Sequence, residues 1–521
     1  MHKLSLGLFL LTLGCAAGET SSARGGAAVL AAENARPPLA AVRPTRLEAH
    51  GDVRVDDYYW LRERENPDVI AYLEAENAYT QAVMAHTQEL RETLFEEIKG
   101  RLKQDDSSVP YKLDDHYYYS RFVEGGDYPL HCRKRGALDA AEEVMLDVNA
   151  MAAGHGYFAV GRRAVSPSQT LLAYPVDVVG RRIYTIRVKD LASGETLADA
   201  VPDVTGNVAW ANDSKTLFYA RQDPVTLRSY QIWRHELGTD PAQDVLVYEE
   251  QDDTFDCSVF RTRSKRFLMI ASTHTLSSEY RYLDADDPTG EFRVFLARER
   301  GHEYDLDHYA DHFYVRTNDG ARNFRLARVP VAAPARESWE EVLPHREDTL
   351  LEDFLPFQDH LVAVERRAGL LQLHVIPWSG EGEHYVAFDE PAYEAGPTDN
   401  HEFATSVLRF GYSSMKTPDS VYDYDMRTRE RTLLKRDEVL GGFDPDDYVA
   451  ERAYATARDG VRVPLSIVYH AGLERDGGNP LLLYGYGSYG ASMDASFNAD
   501  RLRGCRKTPR TSSCFSRARP M

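Results

Sequence analysis

The residues best suited to chemistry in this chain lie between Asn479 and Phe497, in the stretch NPLLLYGYGSYGASMDASF. Leu481-Leu482-Leu483-Tyr484 is continuously apolar and empties into Gly485-Tyr486-Gly487-Ser488-Tyr489-Gly490. A buried strand ending in a glycine-rich loop lets the backbone come close to a reacting carbonyl. In acyl transfer that carbonyl oxygen becomes negative, and a donor fixed on a rigid loop stabilises it, a tyrosine hydroxyl as well as a backbone N–H. Tyr486 is the candidate donor. From its neighbours alone, an aromatic packing residue in a tight turn is the plainer reading.

Ser488 invites assignment as a nucleophile, but the Gly-x-Ser-x-Gly elbow requires glycine two residues earlier, where Tyr486 stands, and a helix afterwards, where none is patterned. No other stretch carries that motif, so a serine nucleophile, its acid and its histidine base have no assigned positions. The 17 histidines fall mostly in the strand-rich middle, where surface or packing roles are expected. After Leu502 the text becomes RGCRKTPRTSSCFSRARPM, with Arg503, Arg506, Lys507, Arg510, Arg517 and Arg519, no acid and no apolar periodicity. It reads as a basic tail foreign to what precedes it, as translation in another frame would produce.

The elements that must position this loop follow from periodicity. Ala453 to Ala457, Val463 to Tyr469 and Pro480 to Tyr484 read as strands separated by Asp459-Gly460 and Asp476-Gly477-Gly478 turns, the last strand apolar enough for the middle of an α/β sheet. Upstream, from Tyr111 to about Phe443, short alternating runs rich in Tyr, Val, Leu and Ile recur. A turn carrying Ser-Pro, Asn-Asp or Ser-Lys leads into an apolar strand at 166–174, 212–220 and 264–271, and second strands follow at 183–191 and 231–237. A spacing of about 45–50 residues is that of four-stranded propeller blades, and about seven would fit. Near the start, Asn66-Pro67-Asp68 gives an N-cap, a first-turn proline and a first-turn acid. Ile70, Leu73, Val83, Leu90, Leu94, Ile98 and Leu102 then keep helical spacing, a stripe expected to serve packing.

Composition bounds the reading. The chain has 521 residues, 43% hydrophobic and 11% aromatic, as a globular protein does. A net charge of −21 excludes a nucleic-acid footprint, mostly describes solvated surface and is compatible with a cationic substrate. Five scattered cysteines form neither a disulfide framework nor a metal spacing. The runs Asp284-Ala285-Asp286-Asp287 and Asp444-Pro445-Asp446-Asp447 lack calcium-loop spacing and read as turns. No cofactor or metal is implied. Lys3, the apolar run Leu4 to Leu13 and Gly14-Cys15-Ala16 look like a secretory signal over 1–15 with a lipobox, in which Cys15 would be lipidated. Residues 16–36 read as a flexible tether. An exported protein, periplasmic or membrane-anchored, is the expectation.

His50 to Arg62 (HGDVRVDDYYWLR), Ala71 to Tyr79, Tyr117 to Phe122 and Asn479 to Gly490 together resemble the prolyl oligopeptidase family of serine peptidases, and within it the oligopeptidase B branch. The likeness runs from about Pro37 to Leu502. It implies a seven-bladed β-propeller capping an α/β-hydrolase domain split around it, here incomplete. It also implies hydrolysis of short peptides after Arg or Lys, and Tyr486 as the oxyanion donor. The implied segments are 37–111 for the first hydrolase part with its helix, 112–446 for the propeller, 447–502 for the opening hydrolase strands and 503–521 for the tail. The family's Ser, Asp and His, and the acids that hold a basic side chain, have no counterparts here, so the chain as written is expected to be inactive. A propeller that binds peptides or a partner without catalysis is the competing expectation. A dipeptidyl or acylaminoacyl peptidase relative is a third, less favoured by the opening motifs.

Overall fold

The computed structural model describes residues 35–501 and the backbone of 513–517. The signal segment, Cys15, nearly all of the tether and the rest of the basic tail lie outside the described residues. The chain divides into two units, one ending at Arg101 and the other beginning at Leu102.

In the first unit, Thr45–Ala49 and Asp52–Asp56 form a two-stranded hairpin. His50 (φ 54) and Gly51 (φ 81) both turn left-handed, the conformation that matches a two-residue turn to the strand twist. Trp60 is buried, its indole N–H donating to the Ala41 carbonyl at 2.9 Å and its face covered by the Arg43 guanidinium at 4.2 Å. Asn66 caps the next helix as expected, its Oδ1 accepting from the Asp68 N–H at 2.9 Å. The predicted single helix is broken: Pro67–Met84 and Gln88–Lys99 are α-helical, and Ala85–Thr87 between them is a 3-10 turn. There the Thr87 hydroxyl donates to the Met84 carbonyl at 2.7 Å and the His86 ring meets the Val83 carbonyl, side chains competing for the helix ladder. The stripe expected to pack is instead exposed at Ile70, Leu73, Leu90 and Ile98, because the five-residue strands of this unit offer too little surface to cover it.

The second unit is a β-propeller. Five separate four-stranded antiparallel sheets span 111–147, 256–296, 304–343, 349–385 and 393–436, and each is built from four consecutive strands. Hairpins along the sheets turn at left-handed residues, among them Asp114, Gln169, Ser214, Lys265 and Ala310. Side chains fix them. Asp213 accepts from the N–H groups of Lys215 and Thr216, both at 2.9 Å, and the Thr262 hydroxyl accepts from the Phe267 N–H at 3.1 Å. The apolar cores lie between neighbouring sheets, not within them. Phe267, Met269 and Tyr282 of one sheet pack with Tyr304, Phe313 and Val315 of the next. Similarly, Leu326 packs with Leu351 and Leu361, and Leu373 with Leu408 and Phe410. Each sheet therefore needs its neighbours to bury both faces.

Seven independent blades are not seen. The stretch 159–249 forms one eight-stranded sheet. Its centre is the 15-residue strand Thr196–Trp210, whose first half pairs with Tyr184–Asp190 and whose second half pairs with Thr216–Gln222. Val204 stands opposite both Tyr184 and Arg221, so no turn separates the two halves, a continuity that repeat spacing does not reveal.

The first and last sheets share no strand and close through side chains. Lys435 reaches the Asp106 carboxylate and the Ser107 carbonyl, and Arg409 donates to the Pro110 carbonyl at 2.7 Å. The Asp114 N–H donates to Glu402 at 2.8 Å, and the Tyr111 and His401 rings lie 4.3 Å apart.

Beyond the propeller, Tyr448–Thr456, Arg462–His470, Ser513–Arg517 and Leu481–Gly485 form a four-stranded sheet in that spatial order. Only opening strands of an α/β-hydrolase were expected there, and among the described residues the sheet is covered by no helical layer: past Tyr448 the α-helical residues are 499–501 alone. The acidic runs at 284–287 and 444–447 are turns, with Asp284 and Asp444 each accepting from a backbone N–H two residues on.

Candidate active-site loop

Leu481–Gly485 pairs in parallel with Ser513–Arg517, which in turn pairs antiparallel with Arg462–His470. The basic tail, without apolar periodicity, thus contributes a strand. It displaces Leu481–Gly485 from the middle of the sheet to its edge. That is why a strand apolar enough for burial is exposed at every position, with Leu481, Leu482, Leu483 and Tyr484 between 45% and 65% accessible.

The loop leaves the C-terminal end of this parallel strand, the end at which open α/β sheets present ligand-binding groups. Ser488–Gly490 make one 3-10 turn, closed by the Ala491 N–H donating to the Ser488 carbonyl at 3.1 Å. Within it Tyr489 sits at φ 57 and ψ 25, a left-handed conformation uncommon for a bulky side chain. Tyr486 is half exposed and Tyr489 almost fully so, which leaves both hydroxyls open to an incoming group. His470, on the second strand of this sheet, accepts at Nδ1 from the Gly472 N–H at 3.1 Å and meets the Tyr448 ring edge-on. That ring nitrogen serves a turn, not a nucleophile.

What fixes the segment after the loop is an interaction absent from the sequence reading. Arg366, on the propeller strand His360–Arg367, is buried and donates to both Asp494 oxygens, at 2.5 Å from Nη1 and 3.1 Å from Nη2, a fork matched to a carboxylate. Its Nε pairs with Glu352. Glu394 lies nearby, and burial raises its carboxyl above the usual range, with Asp494 and Asp419 adding to the rise and Arg366 offsetting part of it. One residue on, Ala495 is buried with Ala392, Met415, Tyr448 and Val468, and the Phe443 and Phe497 rings pack at 5.2 Å. Asp494 and Ala495 therefore pin residues 491–497 against the propeller. The lone acid in a stretch otherwise free of charge from Leu481 to Ala499 was the one signal pointing to this anchor.

Residues 37–437 match the model of the prolyl oligopeptidase N-terminal beta-propeller domain. The chain belongs to the prolyl oligopeptidase family. It is 45% identical over 487 residues to dipeptidyl aminopeptidase BI of Pseudoxanthomonas mexicana, covering 90% of this chain and 67% of that protein. With protease 2 of Moraxella lacunata it shares 36% identity, over 89% of this chain and 68% of the other. The solved structure of oligopeptidase B from Leishmania major superposes with a TM-score of 0.86 at 32% identity, covering 93% of this chain and 72% of that one. The chain thus spans about two thirds of the length of these relatives. Members of the prolyl oligopeptidase family are serine peptidases acting on peptides, and the propeller described above is the domain by which this chain joins them.

Proposed function

We propose that this chain provides the propeller and the oxyanion-donor loop of a serine oligopeptidase that cleaves short peptides after Arg or Lys. The observation that carries the reading is the half-exposed Tyr486, held on a glycine loop at the end of a parallel strand in a chain of this family. Its hydroxyl donates to the carbonyl oxygen as negative charge develops there. Residues 1–521 hold no Gly-x-Ser-x-Gly elbow, so nucleophile, acid and base are assigned to none of them, and this polypeptide by itself does not turn over substrate. The eight-stranded sheet serves as two blades sharing one strand, which brings the propeller to seven. Export, with anchoring through a lipidated Cys15, completes the proposal.

A second reading draws support from the 45% identity to a protein named dipeptidyl aminopeptidase: release of dipeptides from a free N-terminus instead of internal cleavage. One experiment separates the two. The segment of the Pseudoxanthomonas enzyme that follows the matched region is fused after residue 502, and hydrolysis of N-blocked and unblocked Arg-linked chromogenic substrates is compared with that of residues 1–521 alone. The expected result is cleavage of the blocked Arg substrate by the chimera only, with Tyr486→Phe lowering kcat by about 10²–10³-fold. Cleavage confined to unblocked dipeptidyl substrates favours the second reading. A folded, active chimera indifferent to Tyr486→Phe removes the oxyanion role, and turnover by residues 1–521 alone refutes the predicted inactivity.

A further inference from the structure

Where the strand Thr196–Trp210 passes from one half of the eight-stranded sheet to the other, it leaves a cavity of about 450 Å³. This falls within the range of about 300–1,000 Å³ typical of small-ligand sites. The walls are Ala200 and Pro202 of that strand, Arg221, Trp233, and the turn Asp240-Pro241-Ala242.

The cation in this cavity has no acid. The Arg221 guanidinium lies over the Trp233 ring at 4.5 Å and over Tyr219 at 5.6 Å, and its Nε is buried without a hydrogen-bond partner. No carboxylate pairs with it among the described residues, in a chain where 82 acids face 61 bases. The neighbouring acids are engaged elsewhere. His235 spans Asp244 at 2.7 Å and Asp199 at 3.2 Å, and Tyr219 donates its hydroxyl to Asp244 at 2.7 Å. Asp240 accepts from the Ala242 N–H at 2.9 Å. The Trp233 indole N–H is likewise taken, by Gln231 at 3.0 Å, which leaves the tryptophan only its apolar surface to offer.

We propose that this cavity binds an apolar peptide segment ending in a free carboxylate. The carboxylate lies along the open edge of the Arg221 guanidinium, whose planar fork donates to it through parallel N–H···O bonds. The apolar side chain before it packs on Trp233 between Pro202 and Pro241. A single guanidinium with Asp240 at the rim suits one negative charge better than a phosphate dianion. Proline and alanine walls suit aliphatic side chains.

The test titrates the full chain with the tripeptide acetyl-Pro-Leu-Leu, as its free acid and as its C-terminal amide, following tryptophan fluorescence and calorimetry. The acid is expected to bind saturably, at least about tenfold tighter than the amide. Arg221→Gln should erase that difference, Ala242→Trp should block both peptides while leaving the guanidinium in place, and Trp233→Phe should remove the optical change. Ala242 is exposed, so its variant keeps the test available if Arg221→Gln folds poorly. Equal affinity for acid and amide, unaltered binding by Arg221→Gln or Ala242→Trp, no saturation up to about 10 mM, or displacement by inorganic phosphate ahead of the carboxylate would each overturn the proposal.

Discussion

Replacing Arg366 by methionine removes the cation paired with Glu352 and Asp494 beside Glu394, and the cost can be worked from the contacts. Arg366 is 6% exposed at its side chain, Asp494 19% and Glu352 29%. Loss of one partner from a fully buried pair costs about 3–5 kcal/mol. The partial exposure of both acids discounts that, so about 2–3 kcal/mol is expected for Arg366→Met. Asp494→Asn, which leaves the guanidinium still paired with Glu352, should cost about 1–2 kcal/mol, in the range of a charge-assisted hydrogen bond. Urea unfolding of the single and double variants gives the coupling, expected at about 1–2 kcal/mol with an unchanged m-value. Because the pair pins residues 491–497, Arg366→Met should also speed chymotryptic cleavage after the exposed Tyr486 and Tyr489, at urea concentrations well below unfolding. A coupling under about 0.5 kcal/mol, with cleavage no faster than in the wild type, would refute the idea that this fork holds the loop segment.

Three further outcomes follow from the packing and electrostatics. His235 is buried between two carboxylates; burial lowers its pKa, but the hydrogen bonds to Asp244 and Asp199 outweigh burial and the net shift is upward. Its contribution is therefore full below the unfolded pKa of about 6.5 and is lost as pH rises through the folded value, so the stability gap between wild type and His235→Gln should shrink from acid to alkaline pH in urea titrations. Phe313 is fully buried, its ring between 5.0 and 5.5 Å from those of Phe267, Tyr282 and Phe295; Phe313→Ala should cost about 3–5 kcal/mol by the same measurement. Leu483→Lys, on the exposed edge strand, should leave stability within about 0.5 kcal/mol while lowering turbidity on concentration, since a charge blunts an open edge.

Much of the propeller was legible because its signals are local. The Ser-Pro, Asn-Asp and Ser-Lys turns fall where the hairpins turn left-handed, and the predicted strands at 183–191 and 463–469 agree with observed ones to within one residue at each end. The Asn66 cap likewise depends only on residues two positions apart. What escaped was set by distant partners. Arg366 and Asp494 are 128 residues apart and neither carries a local pattern. The apolar run Leu481–Tyr484 gave its strand correctly but not its place in the sheet, which depends on where Ser513–Arg517 inserts. The single eight-stranded sheet around Thr196–Trp210 escaped for a related reason: spacing counts strands, whereas separation depends on a turn that Pro202-Asp203 does not supply. Arg221 carries no local signal in the sequence, and only the engagement of Asp199 and Asp244 by His235 shows that these acids do not pair with it.

The shared strand also gives the ring an uneven stiffness. Between most neighbours apolar side chains meet, joined by isolated main-chain bonds such as the Leu351 N–H to the Asn323 carbonyl at 3.0 Å. Across Thr196–Trp210 the joint is one continuous strand, whose two ladders meet at Val204, paired on both sides. Thermal breathing is therefore diverted around the circle toward the junction where the first and last sheets meet through Lys435, Arg409 and the Asp114–Glu402 contact. Raising the salt concentration is expected to loosen that junction, where Lys435 and Asp106 are partly exposed, and to leave the continuous strand untouched.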